Sequence, residues 1–275
     1  MPELPEVETV VRGLRGPLIG RTVQTMWYDW GRIIQSPDPQ EFAARIAGQT
    51  FHAIDRRAKY ILCTLDTDTL VVHLKMTGRL YVSDDQAVHE ADRWVHFCLQ
   101  LDSGRQLRFS DARKFGRVAL TDDVSTITGG LGPEPLAEAF TLDEFRARLA
   151  GRQKIIKALL LDQTFIAGVG NIYADEALFR AGIHPLRRAH DLTEAEIARL
   201  YEAVRAVLQD GIVYEGASIN WYRKPDGTRG ESQEHFFVYD RAGQPCLHCG
   251  HPIEKIRVAQ RGTHFCPICQ PYPSD

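Results

Sequence analysis

Two groups of residues in this chain have types and spacing that could do chemistry. The first is Cys246, Cys249, Cys266 and Cys269, two Cys-x2-Cys hooks with 16 residues between them. That is the spacing of a four-thiolate zinc site. A catalytic zinc keeps an open position, whereas four thiolates close the shell. The expected cofactor is therefore one structural Zn2+, supplying folding energy to a segment too small for its own core. His248, His251 and His264 lie nearby, but four well-spaced cysteines already complete the coordination. Cys63 and Cys98 sit in strand-like runs and read as buried hydrophobes.

The second group opens the chain, MPELPEVETV. A small residue follows the start, so removal of Met1 would leave the secondary amine of Pro2 free. An α-amino group titrates near ~7.7–8, against about 10.4 for lysine, and is the better nucleophile near neutral pH. Attack on a carbonyl-level carbon would give an iminium with no N–H proton to lose, which stays cationic and draws electrons. Glu3 is adjacent, with Glu6 and Glu8 close behind. A carboxyl group beside a nucleophilic amine is what an acid/base step needs. The same stretch also reads as a helix start, with Pro5 in the first turn and Val7, Val10, Val11 and Leu14 as its buried stripe.

These groups need a frame. At 275 residues the chain has room for two domains and a small appendix. Hydrophobic content of 44% and charged content of 25% are those of an ordinary globular protein. No apolar run has membrane-spanning length, and no basic-then-apolar leader opens the chain, so the expected location is the cytoplasm. Six cysteines there argue against a disulfide framework. A net charge of −3 weighs mildly against nucleic-acid binding, although an acidic exterior is compatible with a basic groove.

After the first helix, residues 22–28, 50–55, 60–65, 69–74, 79–82, 94–101, 106–110 and 116–121 read as strands punctuated by Gly, Pro, Asp and Ser, with a short helix at 39–47. Eight strands in about 100 residues imply a sandwich or flattened barrel. A Gly/Pro-rich boundary at 125–138 precedes helices at 155–162, 172–181 and 193–208, the last opened by Thr193-Glu194-Ala195-Glu196. Thr141-Leu142-Asp143-Glu144 reads as another capping box. Gly168-Val169-Gly170-Asn171 before a helix offers either an anion-binding backbone or a plain turn capped by Asn171. Residues 216–233 form a long polar loop, and 256–265 read as a β-hairpin with 261–264 at its tip. The fold class is thus α+β and multidomain. It comprises an N-terminal β-sandwich with an N-terminal helix (1–130), a helical domain (131–225), and the loop end with a zinc-fastened hairpin (226–275).

Six strings in this chain, PELPEVETVVRGL, RRAKY, HLKMTGRL, DARKFG, GVGNIYADEALFRAGIHP and QRGTHFCPICQ, fall in the order found in one family. The sequence resembles the formamidopyrimidine-DNA glycosylases, bacterial base-excision repair enzymes with an N-terminal proline nucleophile. The resemblance implies a helix–two-turn–helix element in the helical domain and a bifunctional glycosylase and abasic-site lyase that removes oxidised purines. It gives Pro2 the attack on the sugar and Glu3 the acid/base step. Lys59 would contact phosphate and assist proton transfer, and Arg261 would grip the flanking phosphates and assist the second elimination. Met76 and Phe115 would fill and wedge the duplex, with Arg113 opposite the estranged base. His73, His96, Lys157, Asn171 and Tyr239 would make or support further DNA contacts. Gln153 stands where related enzymes often carry a basic residue, with Arg152 and Lys154 beside it. Residues 216–233 would fold over the flipped base. The implied partner is double-stranded DNA with oxidised bases or abasic sites, held between the β domain and the other elements of a monomer in the bacterial nucleoid. Two alternatives remain open: an endonuclease VIII-like enzyme for oxidised pyrimidines, and a non-catalytic zinc-containing DNA-binding module.

Overall fold

The opening stretch becomes α1 (Leu4–Leu18), with Pro5 in its first turn and Leu4, Val7, Val10, Val11, Leu14 and Leu18 buried along one face. A computed structural model describes residues 1–84 and 90–272 and divides the chain into two compact units. The first is Met1–Gly130 with Tyr214–Glu231; the second is Leu131–Val213 with Ser232–Asp275.

In the first unit, α1 leads into β1 (Val23–Tyr28), β2 (Ile34–Ser36) and α2 (Pro39–Ile46), whose first amides are capped by the Asp38 side chain. The strands β3 (Ala53–Arg57), β4 (Tyr60–Thr64), β5 (Thr69–His73), β6 (Gly78–Asp84), β7 (Val95–Leu101), β8 (Arg105–Asp111) and β9 (Arg117–Thr121) follow, and α3 (Ser125–Thr128) ends the run. They form a four-stranded sheet, β1-β7-β8-β6, and a five-stranded sheet, β2-β9-β5-β4-β3. Both sheets and α1 contribute to one apolar core through residues such as Val10, Leu14, Ile61, Val72, Phe97, Leu99 and Phe109. The expected sandwich is present, with a ninth strand among the described residues. That strand, β2, is three residues long and pairs in parallel with β9. A segment so short carries no period-2 pattern to read.

The loop 214–231 belongs to this first unit. Tyr222 is buried in its core, and the Glu231 N–H donates to the Tyr214 carbonyl at 2.8 Å. Tertiary packing thus groups this stretch with α1, whereas composition alone divides the chain near 130 and 225.

The second unit contains α4 (Leu142–Leu149), α5 (Ile156–Leu160), α6 (Asn171–Ala181) and α7 (Glu194–Val213). Both caps form, but only one as a box: Thr141 Oγ1 accepts from Glu144 N–H at 3.2 Å while the Glu144 carboxylate pairs with Arg148 at 3.0 Å, whereas Thr193 and Glu196 exchange reciprocal bonds at 3.3 and 2.8 Å. The chain ends in the hairpin β10 (Glu254–Val258) and β11 (Arg261–Phe265). Its tip is Ala259–Gln260, not residues 261–264. Both turn residues have positive φ, 48° and 61°, and Arg261 already pairs with Val258. A two-residue turn of this kind normally carries Asn or Gly, so the composition gave no signal for it. Among the described residues no helix is long and apolar enough to cross a membrane.

Candidate active site

Pro2 is buried at the chain start, and Glu3 is only 2% exposed. The Glu3 backbone N–H donates to the Glu6 carboxylate at 2.8 Å, so the turn carrying Pro2 is fixed by the helix it opens. The β3–β4 hairpin packs along α1. Arg15 Nε donates to the Ile54 carbonyl at 3.0 Å, and Arg56 Nε donates to Glu8 at 3.1 Å. Pairing later helix residues with earlier strand residues directs the hairpin tip toward the start of α1. At that tip Ala58 has φ 53°, and Lys59 is buried. Burial alone would push the Glu8 carboxyl up, but hydrogen bonds from Arg12 and Arg56 outweigh it and hold the group below its ordinary value.

Met76 and Phe115 are exposed apolar side chains on two turns, 37% and 46% accessible. One buried carboxylate organises both. Asp111 accepts from the Thr77 hydroxyl, from Arg113 N–H at 3.2 Å and from Gly116 N–H at 2.6 Å. It therefore fixes the turn after Met76 and the turn carrying Arg113 and Phe115 together. Gly116 is required there, because a Cβ would lie 2.3 Å from the Phe109 ring. The Arg113 guanidinium lies over the Phe115 ring at 4.7 Å, so the exposed pair is pre-assembled. A cavity of about 360 Å³ in the same unit is lined by Thr77, Arg79, Trp94, Ser110, Asn220 and Trp221, among others.

His73 and His96 are both buried rather than displayed. His73 Nδ1 accepts from Lys75 N–H at 2.9 Å, which shapes the turn before Met76. Burial first, then the charges of Lys75 and Lys59, push the His73 pKa down to about 3 from an ordinary 6.5. The unfolded chain thus binds this proton more readily than the folded one. The stabilisation is complete above pH 6.5 and is lost as pH falls toward 3. Unfolding free energy of the wild type should fall more steeply with acid in that window than that of His73→Gln, by up to about 1.4 kcal/mol per pH unit. Denaturant titrations across the window check this, and parallel curves would contradict it. His96 Nδ1 lies 2.8 Å from Asp29, and its buried Nε2 has no hydrogen-bond partner among the described residues.

In the second unit, Asn171 is the first residue of α6 rather than its cap. Its side-chain amide donates to the Gly262 carbonyl at 2.9 Å, while its buried Oδ1 has no partner among the described residues. Lys157 is fully enclosed. Its ammonium pairs with Asp175 and donates to the Asn171 carbonyl at 3.3 Å. The other Asp175 oxygen accepts from His264 N–H at 3.0 Å, so one buried carboxylate joins α5, α6 and the hairpin. Tyr239 is half-buried with its ring 5.1 Å from that of His264. The backbone around it is fixed by Glu176, which accepts from Phe237, Val238 and Tyr239 N–H at 2.8–3.0 Å. Burial pushes the Glu176 carboxyl up in spite of those three bonds. Arg261, just past the hairpin turn, and Gln153 are exposed.

Family models cover most of the chain. The formamidopyrimidine-DNA glycosylase N-terminal domain matches residues 1–118, the H2TH domain of the same enzymes matches 131–223, and a zinc finger found in FPG and IleRS matches 243–271. Formamidopyrimidine-DNA glycosylase from Herpetosiphon aurantiacus is 50% identical over 274 residues, covering 98% of this chain and 100% of that protein. The chain belongs to the formamidopyrimidine-DNA glycosylase family. The Chloroflexus aggregans member is 52% identical, covering 98% of each chain. Among solved structures, a Lactococcus lactis Fpg mutant bound to Fapy-dG-containing DNA superposes with a TM-score of 0.92 at 36% identity, covering 98% of this chain and 100% of that one. The MutM (Fpg) protein of Thermus thermophilus gives 0.88 at 42% identity, covering 99% and 100%.

The zinc element of this glycosylase family member fits its metal. The four cysteine sulfurs lie within 4.8 Å of one another, as a tetrahedral thiolate shell requires. Cys246, Cys249, Cys266 and Cys269 therefore form the site of one structural zinc, whose chemistry when bound is to cross-link two turns. Sequence reasoning overlooked Asp111, Asp175, Glu176 and the partners of Glu6. Their partners are mostly backbone amides, including some remote in sequence, and amides leave no mark in a sequence.

Proposed function

We propose that this chain flips an oxidised purine out of duplex DNA, removes it, and cuts the strand at the resulting abasic site. The observation that carries the reading is the buried Pro2–Glu3 start of α1, toward which the Lys59 hairpin is directed. Once Met1 is removed, the Pro2 nitrogen attacks the sugar C1′ as the C1′–base bond breaks; the base leaves with its electron pair and takes up the proton that the Pro2 nitrogen sheds. Glu3 protonates the ring oxygen as the ring opens to the iminium. The cationic iminium acidifies the C2′ proton. Its loss expels the 3′ phosphate, and a second elimination expels the 5′ phosphate, with Lys59 and Arg261 assigned to phosphate contact and proton transfer. Water then releases the sugar fragment and restores the Pro2 amine.

The remaining assignments follow exposure. Met76 and Phe115 replace lost stacking, Arg113 faces the estranged base, and the cavity beside loop 214–231 receives the flipped one. Asn171, Arg261 and Gln153 meet the backbone. His73, His96, Lys157 and Tyr239 act by holding the segments that touch DNA. The first unit carries the nucleophile; the helical and zinc-fastened elements supply grip and, through Arg261, assist the second elimination. We place the work, by a monomer, on chromosomal DNA in the bacterial nucleoid. Purine preference is tested by single-turnover excision of 8-oxoguanine paired with C against thymine glycol. The purine should win by at least ~10-fold, about 1.4 kcal/mol of differential transition-state binding. The reverse order would assign the chain to the pyrimidine-directed class.

A further inference from the structure

We propose that Glu6 is a positioning residue that fastens loop 214–231 to the nucleophile-bearing chain start, so that seating the loop and placing Pro2 are one event. The proposal rests on the reading of Pro2 as nucleophile. Glu6 is 1% exposed, and its two oxygens serve different parts of the chain. Oε2 accepts from Glu3 N–H at 2.8 Å, and Oε1 accepts from Ala217 N–H at 2.8 Å, across 211 residues of sequence. A helix start needs only the first of these bonds. A carboxylate used for capping alone has no reason to be buried, since burial penalises its charge. The second bond offsets part of that penalty and ties the carboxylate to the loop.

The loop is shaped to receive this carboxylate. Gly216 has φ 81°, and a Cβ there would lie 2.9 Å from Glu6 Cγ and 3.0 Å from the Tyr222 ring. Behind it the loop base is tied on itself. Ser218 Oγ accepts from Gly230 N–H at 3.0 Å and donates to the Tyr222 carbonyl at 3.0 Å, and Arg229 donates to the Ser218 carbonyl at 2.9 Å. With Tyr222 anchored in the β core, displacement of Ala217 is transmitted to Glu6 and so to Glu3. Gln cannot substitute. Its amide has one acceptor oxygen, and its NH2 would point at an N–H.

The test uses abasic-site DNA, which has no base for a loop to hold. Single-turnover borohydride trapping at saturating DNA is measured for Gly216→Ala, Glu6→Gln and the double variant, with DNA affinity and thermal midpoint recorded alongside. Gly216→Ala should slow trapping at least ~10-fold while affinity changes less than ~3-fold, and the double variant should trap no more slowly than Glu6→Gln, because both changes cut one link. Wild-type trapping by Gly216→Ala, or additive losses, would overturn the proposal. Hydrogen exchange in the wild type decides the matter if a variant fails to fold. The Glu3 and Ala217 amides should show equal protection, since one opening exposes both; protection differing more than ~100-fold would refute the link. A protein with residues left ahead of Pro2 is the control: if it traps normally, the nucleophile reading itself fails, whatever Glu6 does.

Discussion

Pro2→Gly, or any residues left ahead of Pro2, should abolish or cripple strand cutting at abasic sites. The extension removes the amine altogether, so the expected loss is complete. Glycine keeps an amine, but a primary one. Its imine can shed the N–H proton and lose the positive charge that drives elimination, so a fall on the order of 10²-fold or more is expected. Gly at position 2 also frees a backbone that proline restrains, next to a turn fixed through the Glu3–Glu6 bond. Gel assay of abasic-site nicking, with DNA binding measured on the same preparations, separates the two effects. Lost nicking with retained binding is the expected pattern; retained nicking by the extended protein would refute the role of Pro2.

The second large effect is loss of the metal. Stripping zinc with a chelator, or changing Cys266 to Ser, should unfold the zinc-fastened hairpin and reduce affinity for lesion DNA at least ~10²-fold. Structural zinc in finger peptides is worth apparent free energies of about 10–16 kcal/mol, far more than a segment of this size can replace by packing. The damage should extend beyond the loop of cysteines. Cys246 and Cys266 share a small apolar cluster with Phe179, Val238 and Ile253, which joins the zinc turns to α6. Gln270 ties the same turns to the Ile183 carbonyl at 2.8 Å. Arg261 and the Gly262 carbonyl that holds Asn171 lie on the hairpin itself. Metal analysis should find one zinc per chain, and Arg261→Ala should keep it while still losing grip. A zinc-free protein that binds lesion DNA normally would contradict the structural role.

What the sequence made legible divides along physical lines. Elements whose stability is local were readable: α1 from Pro5 and the Val7, Val10, Val11, Leu14 stripe, the Thr141 and Thr193 caps, and the zinc site from cysteine spacing alone. Elements that exist through distant pairing were not. The strand β2 exists because β9 runs beside it, and the Ala259–Gln260 turn is held by the β10–β11 ladder rather than by its own residue types. The acidic residues show the same divide. In sequence Glu6 is a first-turn carboxylate that complements a helix dipole, Asp111 a strand-end aspartate, and Asp175 one of two acids in a helix. In the structure each is buried and joins separate segments. The resemblance named residues for DNA contact, of which the geometry buries His73, His96 and Lys157; the geometry adds the carboxylates that tie their segments together.

In the proposed mechanism the covalent bond to DNA forms at the Pro2 nitrogen. Borohydride reduction of the native protein on abasic-site duplex, followed by proteolysis and mass mapping of the adduct, tests it most directly. A sugar adduct on a peptide that begins at Pro2 is the expected result. An adduct on Lys59 or another lysine, or a bound complex that yields no adduct, would contradict it.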